Sequence, residues 1–220
     1  DACSPPVQEC RATGWGDPHL VTFDGLKYDV QVKGEVIMLR SLNSPLEIQG
    51  RLEGLGSEYA GKPAVTTGVA IRDGTNTETY PIVQVSMASQ QAELDTVDGC
   101  PVELYVDGIA HDVTTYGTSP DNSFSVSIID GDMIVVDFLN TDLRVELTVS
   151  FYGICHFSVD YILEACRTDE TIRGLLGTPD GNAANDWHDQ NGNIFTLPQG
   201  VSNFFFQPAF EYANENWKVQ

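Results

Sequence analysis

The sequence is poor in basic residues, with 11 Lys and Arg against 32 Asp and Glu and a formal net charge of −21. Nucleic acids and anionic membrane surfaces are both bound by clustered Lys and Arg, so this deficit excludes both kinds of partner. No apolar run approaches the roughly 20 residues that a membrane-spanning helix needs, so we also expect no membrane insertion. An acidic surface of this kind suits cation binding, or simply keeps the protein in solution.

Cysteine is also scarce, with five residues: Cys3, Cys10, Cys100, Cys155 and Cys166. The paired CxxC spacing of a structural zinc site is missing. Cys3 could pair with Cys10, or Cys10 could reach across the domain, and Cys155 and Cys166 flank a short apolar run. The odd number leaves one thiol over or pairing with another chain, and spacing alone leaves the connectivity open.

Helix signals are few, whereas strand signals dominate. Short alternating segments are separated by Asp-Gly turns, and those at Asp107-Gly108 and Asp130-Gly131 each predict a hairpin. Leu143 to Phe151 alternates apolar and polar residues, as a half-buried strand does. The pattern predicts an all-β fold, an antiparallel β-sandwich of two sheets with at most short helices.

Two segments depart from this pattern. Thr168 to Leu176 predicts a short helix, because Asp169 and Glu170 suit its first turn. The run Asn203 to Phe206 predicts a core segment or an edge strand. Without a Pro/Ser linker or an internal repeat, we expect one domain over residues 14–220, with residues 1–13 as the end of a preceding segment.

The region after Gly177 is dense in Asp, Asn and Gly, and it contains a candidate calcium-binding loop. Ca²⁺ takes six to eight oxygen ligands, which a tight loop supplies from alternating positions. Asp180 and Asn182 have this spacing, and Asn185 and Asp186 would close the cage. The alternative is an ordinary polar turn, since Asp, Asn and Gly fill turns for their own conformational reasons.

Three motifs resemble those of von Willebrand factor type D domains. The segment Gly16 to Gly25, GDPHLVTFDG, is similar to the opening signature of that family. Gly174 to Asp186 resembles its GLCGxxxGxxxND segment, and Asn214 to Val219 resembles its closing NxWKV. The motifs occur in the family's order and span nearly the whole chain.

The resemblance implies a β-sandwich in which one Ca²⁺ joins the first motif to the late loop. Matched position by position, the implied ligands are Asp24, Asp180, Asn182, Asn185 and Asp186. The chain departs from the family at Leu176, where Cys is usual, and at Thr178, where Asn is common. Because the usual cysteine is missing, we predict that Cys155 and Cys166 form a disulfide that takes the place of the usual one.

The bond between Asp17 and Pro18 is a separate candidate site. In some members of the family this motif cleaves itself, with the Asp carboxylate attacking its own carbonyl carbon and His19 placed to protonate the proline nitrogen. The alternative, which we favour, is that the motif is structural and His19 is hydrogen-bonded beneath the sheet. No nucleophile motif accompanies the other histidines, so we expect no enzyme activity beyond possible self-cleavage.

Together these features predict a calcium-stabilised structural and interaction module of a secreted adhesive, extracellular-matrix or mucus-like glycoprotein. Its expected partners are other extracellular proteins or glycans, or further copies of itself. Two alternatives follow from the same resemblance: a secreted, luciferase-like oxidoreductase, or a carrier of lipids or small ligands. A pocket with perturbed titratable groups would favour the first, and an apolar cavity the second.

Overall fold

The computed structural model describes residues 9–54, 64–74, 80–88, 96–151, 153–163, 166–167, 171–195 and 206–219. Within these ranges the chain forms sixteen β-strands, a 3₁₀ turn at Ala183–Asn185 and one α-helix, α1, at Phe206–Asn216. The strands of the first half are β1 Cys10–Trp15, β2 His19–Val21, β3 Lys27–Asp29, β4 Gly34–Ser41, β5 Glu47–Gly54, β6 Ala64–Arg72, β7 Ile82–Met87 and β8 Thr96–Val97. Those of the second half are β9 Cys100–Val106, β10 Ile109–His111, β11 Gly117–Thr118, β12 Phe124–Ile129, β13 Met133–Phe138, β14 Leu143–Phe151, β15 Cys155–Leu163 and β16 Ile172–Arg173.

The strands pair into one curled antiparallel sheet, in which β10, β9, β7, β6, β15, β14, β13, β12 and β11 follow one another. Two longer branches leave this path, and the short strand β8 pairs with β9. In one, β1 pairs with β15 and leads through β2 to β3; in the other, β5 pairs with β6 and leads through β4 to β16. The all-β, antiparallel character is therefore confirmed, and the division into two facing sheets stays a prediction.

The central ladder shows why the alternating pattern was informative. In β14, Leu143, Val145, Leu147 and Val149 are buried, whereas the residues between them are partly exposed. The predicted hairpin between β9 and β10 is also confirmed, since Ile109 pairs with Val106 across a two-residue turn. Asp107 and Gly108 have φ values of 50° and 78°, and this positive pair is what a type I′ hairpin turn requires.

The disulfides differ from our prediction. Cys10 is bonded to Cys166, and Cys100 to Cys155, so the expected Cys155–Cys166 bond is wrong. Cys155 begins β15, and Cys166 follows three residues after the strand ends at Leu163. Because a strand rises about 3.3 Å per residue, the nine residues of β15 separate its two ends by far more than a disulfide can span. Cys10 instead reaches Cys166 because it pairs with Leu163 at the end of that strand. Cys3 lies outside the described residues.

The predicted helix from Thr168 to Leu176 is also wrong over the part that the structure describes, residues 171–176. Ile172 and Arg173 form β16 against β4, and the amides of Leu175 and Leu176 donate to the carbonyls of Ile37 and Met38. A Cβ on Gly174 would lie 2.3 Å from the Met38 carbonyl oxygen, so only glycine allows the backbones to approach this closely. The sheet edge therefore takes the backbone hydrogen bonds that a helix would have used.

The observed helix, α1, lies near the end of the chain. Its inner face carries Ala209, Tyr212 and Ala213, all fully buried at the three- and four-residue spacing of a helix packed on one side. The Phe-rich run was predicted as a core segment or edge strand; residues 203–205 lie outside the described part, and Phe206 begins the helix. Among the described residues no helix is long and apolar enough to cross a membrane.

Candidate functional site

Two polar turns contain the site residues predicted from the sequence, and the first is the turn between β2 and β3. Thr22 closes it: its amide donates to the Leu26 carbonyl (2.9 Å), and its hydroxyl accepts from the Leu26 amide (2.9 Å). This turn presents Asp24 to the loop that follows β16. The Oδ2 atom of Asp24 accepts from the Asn182 amide at 2.7 Å, which joins segments 158 residues apart.

The loop itself is organised by its own Asp and Asn side chains. Asp180 Oδ1 accepts from the Asn182 amide (2.9 Å), and Asp180 Oδ2 accepts from Asn185 Nδ2 (2.8 Å). Asn182 begins the 3₁₀ turn, with its side-chain oxygen accepting from the Ala184 amide (3.3 Å). The structure thus brings together Asp24, Asp180, Asn182 and Asn185, four of the five predicted calcium ligands.

Asp186, the fifth predicted ligand, lies beneath this group and is completely buried. The Thr22 hydroxyl donates to its Oδ2 at 2.5 Å, and the Thr178 amide donates to its Oδ1 at 3.1 Å. Gly177 is required beside it, because a Cβ there would lie 2.3 Å from Asp186 Oδ1. The Asp186 carboxylate therefore links the first turn to the loop through direct hydrogen bonds.

Aromatic packing fixes the far side of the loop. The Trp187 ring stacks on Tyr212 of α1, with ring centroids 5.0 Å apart, and meets Tyr28 of β3 edge-on at 5.0 Å. His188 is buried next to it, and its Nδ1 lies 3.1 Å from the Asn185 carbonyl oxygen. The polar loop is thus anchored on the apolar core, while Asp180 and Asn182 remain exposed.

The carboxylates of this site differ in the direction of their pKa shifts: burial acts to raise the pKa of Asp180, but hydrogen bonds from Asn185 and the Asn182 amide lower it on balance. Burial raises the pKa of Asp186 to about 6 against the hydrogen bonds from Thr22 and Thr178, and the charges of Asp24 and Asp180 raise it further. The pKa of Asp24 is also raised, first by burial and then by its contact with Asp180, although backbone amides oppose the rise. Carboxylates in this situation gain from a nearby cation.

Among the described residues, the side-chain oxygen of Asn185 is left without a hydrogen-bond partner. The Oδ1 of Asn185 is buried and, within the described part of the chain, accepts no hydrogen bond. An amide oxygen without a donor, next to two carboxylates, suits a hard cation such as Ca²⁺. No three His, Cys, Asp or Glu side chains come together as a metal-binding group among the described residues, so a calcium site here depends on the amide oxygens.

The second polar turn, between β1 and β2, contains Asp17, Pro18 and His19. The His19 ring lies between two carboxylates, with Nε2 2.9 Å from Asp17 Oδ1 and Nδ1 2.5 Å from Asp29 Oδ1. The side-chain amide of Gln31 donates to the Asp17 carbonyl oxygen at 3.0 Å. The carbonyl of the Asp17–Pro18 bond is therefore held by a donor, and the histidine next to it is held by two acceptors.

Sequence reasoning missed Asp29 and Gln31. A signal for Asp29 was available, because a hairpin centred on Asp24 pairs positions 19 and 29, which is the observed register. Gln31 lies just after β3, and its side-chain oxygen accepts from the Ala64 amide at 3.1 Å. That contact depends on long-range folding, so the local pattern gave no indication of it.

The fold and both turns define a disulfide-linked, all-β module whose polar turns are held by side chains. A family model described as "von Willebrand factor type D domain" matches residues 12–193. The chain therefore belongs to the von Willebrand factor type D domain family.

Several curated proteins are similar to this chain. Human "Sushi domain-containing protein 2" is 26% identical over 97% of the chain, which covers 24% of that protein. "Mucin-2" of Mus musculus is 24% identical over 86% of the chain, which covers 4% of it, and "Protein mesh" of Bombyx mori is 32% identical over 40% of the chain, which covers 6% of it. The chain thus spans a quarter or less of the length of these relatives.

Proposed function

We propose that this domain is a calcium-stabilised structural and interaction module of a secreted adhesive, extracellular-matrix or mucus-like protein. Family membership and the mucin relatives support the extracellular, adhesive role. Two disulfides also suit an oxidising, extracellular compartment. The same relatives favour a structural module over the luciferase-like enzyme or the lipid carrier. Partners would be other extracellular proteins, glycans or further copies of the domain.

The observation that carries the calcium proposal is the convergence of Asp24 and the 180–186 loop around the unpartnered oxygen of Asn185. Asp24, Asp180, Asn182, Asn185 and Asp186 would hold the ion. When bound, Ca²⁺ supplies positive charge to this acidic cluster and no redox chemistry. The residues themselves shape the site. Asp24 joins it from the β2–β3 turn, the Asn182 side chain caps the 3₁₀ turn, and the Asp186 carboxylate accepts hydrogen bonds from both Thr22 and Thr178.

Calcium binding should raise the free energy of unfolding of the domain. A ligand at a hundredfold above its Kd stabilises the folded state by about 2.7 kcal/mol, a large part of a typical domain's margin. We therefore expect a chelator to lower the melting temperature of the purified domain by several degrees, and added Ca²⁺ to restore it. Isothermal titration calorimetry gives the affinity and the stoichiometry, which we expect to be one ion.

Two variants and one matched control test the ligand assignment. Asp180→Ala and Asp186→Ala should each abolish calcium binding. Asp189→Ala removes the same charge from the neighbouring Asp-rich turn, where the Asp189 carboxylate accepts from the amides of Asn191 and Asn193, and it should leave calcium affinity unchanged. Since Asp186 is buried, Asp180→Ala is the safer test if Asp186→Ala fails to fold. Unchanged affinity in a folded Asp180→Ala domain would contradict the site.

A second proposal concerns the Asp17–Pro18 bond. The position of His19 between Asp17 and Asp29, with Gln31 on the Asp17 carbonyl, supports slow self-cleavage as well as a structural role. We propose that the bond is intact in most molecules at neutral pH, yet is the weakest peptide bond in the chain.

A further inference from the structure

Acidic and basic residues are distributed unevenly along the chain. Residues 73–143 contain 13 Asp and Glu but no Lys or Arg, so all 11 basic residues lie outside this segment. The strands β7 to β13 come from this segment. This part of the sheet is therefore strongly negative, and it attracts cations over about 8 Å at physiological ionic strength.

A groove of about 490 Å³ opens within this part of the sheet. The strand β10 contributes Ile109 and His111 to its lining, and β11 contributes Thr118. These two strands are the first and the last on the path that the sheet follows, and six residues of chain connect them. No Lys or Arg of the described residues lines the groove. A volume of several hundred Å³ is typical of ligand sites.

The groove is where the hydrophobic core meets solvent. On the inner face of the β9–β10 hairpin, Leu104 is fully buried, whereas Ile109 is 65% exposed. Val106, opposite Ile109, packs against the core and also lines the groove. From β11, the Tyr116 ring next to that strand stacks on the buried Phe124 ring, with centroids 5.8 Å apart. The apolar lining thus continues from the core to an exposed isoleucine, which a partner's apolar side chain would cover.

Local hydrogen bonds hold the groove in shape. The turn after β10 is closed by Asp112, whose carboxylate accepts from the Thr114 amide at 2.7 Å and from the Thr115 hydroxyl at 2.9 Å. This turn brings the His111 ring edge-on against the Tyr116 ring, with centroids 4.9 Å apart. A ligand would therefore enter a formed groove and would not bear the cost of ordering it.

Asp107 adds negative charge to the lining and is exposed. Its Oδ1 accepts from the Ile82 amide at 2.9 Å, and its own amide donates to the Ile82 carbonyl at 3.0 Å, so the side chain is held in place. Burial raises the pKa of Tyr116, and the charges of Asp121 and Asp107 raise it further. The groove therefore favours a cation and repels an anion.

The two strands beside the groove are edge strands. β10 pairs with β9, β11 pairs with β12, and no other described strand pairs with either of them. The outer backbone N–H and C=O groups of an edge strand can pair with an extended segment of another chain. A partner segment can therefore bind through its backbone at the place where its side chains meet the groove.

We propose that this groove binds an extended segment of a partner protein in which an apolar side chain is flanked by Lys or Arg. The apolar side chain would contact Val106, Ile109 and the Tyr116 ring, and a flanking cation would lie next to Asp107. The proposal deepens the proposed function, because it names the chemistry of one partner. It rests on the proposed interaction role and not on calcium binding.

Other occupants fit this groove less well. A second copy of the chain, with a net charge of −21, and an acidic glycan would both be repelled by a segment without basic residues. A small polyamine would neutralise the carboxylates but leave Ile109 exposed. An uncharged apolar ligand would cover Ile109 but gain nothing from the negative charge around it.

The test is a titration of three labelled peptides with the calcium-saturated domain, followed by fluorescence anisotropy at physiological ionic strength. The first peptide carries Leu-Phe-Leu between two pairs of lysines. The second replaces Leu-Phe-Leu by Ser-Gly-Ser, and the third replaces the lysines by glutamates. We expect the first peptide to bind at least about tenfold more tightly than either of the others, because only it offers both the apolar and the cationic contacts.

Variants locate the binding. Ile109→Ser should weaken the first peptide by about tenfold, because an apolar contact is lost. Asp107→Asn should weaken it by about two- to fivefold, as for an exposed ion pair, and the Asn oxygen can still accept from the Ile82 amide. The matched controls are Ile129→Ser and Asp130→Asn, which change an exposed isoleucine and the Asp of the other Asp-Gly turn outside the groove lining. Both controls should leave the affinity nearly unchanged.

Several results would overturn the proposal. One is failure of the first peptide to bind the folded wild-type domain, and another is equal binding of the first peptide and either control peptide. Equal weakening by Ile109→Ser and Ile129→Ser would place the contact elsewhere. Self-association, measured by sedimentation, that Ile109→Ser abolishes would show that the groove is an interface between copies. Calcium affinity is measured separately on the same samples, so a failed peptide titration is distinguished from a failed calcium site.

Discussion

In the ladder from β12 to β15, backbone hydrogen bonds and alternating apolar side chains hold the chain, whereas in the loop from Gly177 to Phe195 polar side chains hold the backbone. Leu147, for example, is fully buried between Ile134 and Val159 of the neighbouring strands. In the loop, Asp180, Asn182 and Asn185 bond one another at the surface. Apolar packing and backbone hydrogen bonds therefore stabilise the ladder without an ion. The loop brings negatively charged carboxylates close together, so it is the part that a bound cation would stabilise.

The largest expected effect is in the ladder. Leu147→Ala leaves a cavity in a close-packed core and should lower the free energy of unfolding by about 2–5 kcal/mol. Because the ladder does not depend on the ion, the loss should be the same with Ca²⁺ and with a chelator, as measured by denaturant unfolding. Thr148→Ala, at the next and partly exposed position of β14, is the control and should cost much less.

A loss from Leu147→Ala that changes with calcium would mean that the ladder and the loop unfold as one coupled unit. The stability of the ladder would then depend on calcium as the stability of the loop does.

The next effect is in the loop. Gly177→Ala places a Cβ 2.3 Å from Asp186 Oδ1, whereas Gly181→Ala meets no atom within 4 Å. Both glycines have positive φ, 74° and 85°, so each variant bears a conformational cost of about 1 kcal/mol. Only Gly177→Ala should also displace Asp186, and we expect it to weaken calcium binding by about tenfold or more in calorimetry. Equal affinities in the two variants would argue against any role of Asp186 in the site.

The smallest effect is chemical and concerns the other polar turn. Cleavage at Asp17–Pro18 needs an ionised Asp17 and a protonated His19. The reaction needs a proton at the Pro18 nitrogen, so we expect it to be faster in acidic samples than in neutral ones. Cleavage leaves residues 1–17 attached through the Cys10–Cys166 disulfide, so the samples are reduced before intact-mass spectrometry. After incubation between about pH 4 and pH 8, the reduced samples should show slow appearance of the fragment of residues 1–17, fastest in the acidic samples.

Gln31→Ala and Asp29→Asn sharpen this test. If the donor on the Asp17 carbonyl and the partner of His19 assist the reaction, both variants should cleave more slowly than the wild type. A chain that stays intact after long acid incubation would show that the motif is structural here. Complete cleavage in freshly purified neutral protein would show that the bond is weaker than we propose.

Local features of the sequence predicted much of this molecule. The alternation in β14 and the Asp-Gly turn after β9 are confirmed, because strand pleating and turn conformation depend on residues close together in the chain. The type D motifs predicted the family, which is also confirmed. The same motifs predicted the residues that meet around Asn185, although their binding of calcium stays a prediction.

Other features were decided only by the tertiary structure. Cys10 meets Cys166 because β1 pairs along the whole of β15, and Ile172 joins a sheet edge because β4 offers unpaired backbone groups there. The row of Arg173, Arg40, Glu47 and Arg72 likewise forms only where four strands lie side by side. Each of these depends on pairing between distant segments, and a strand's own pattern states which face is buried but not which strand it will lie against.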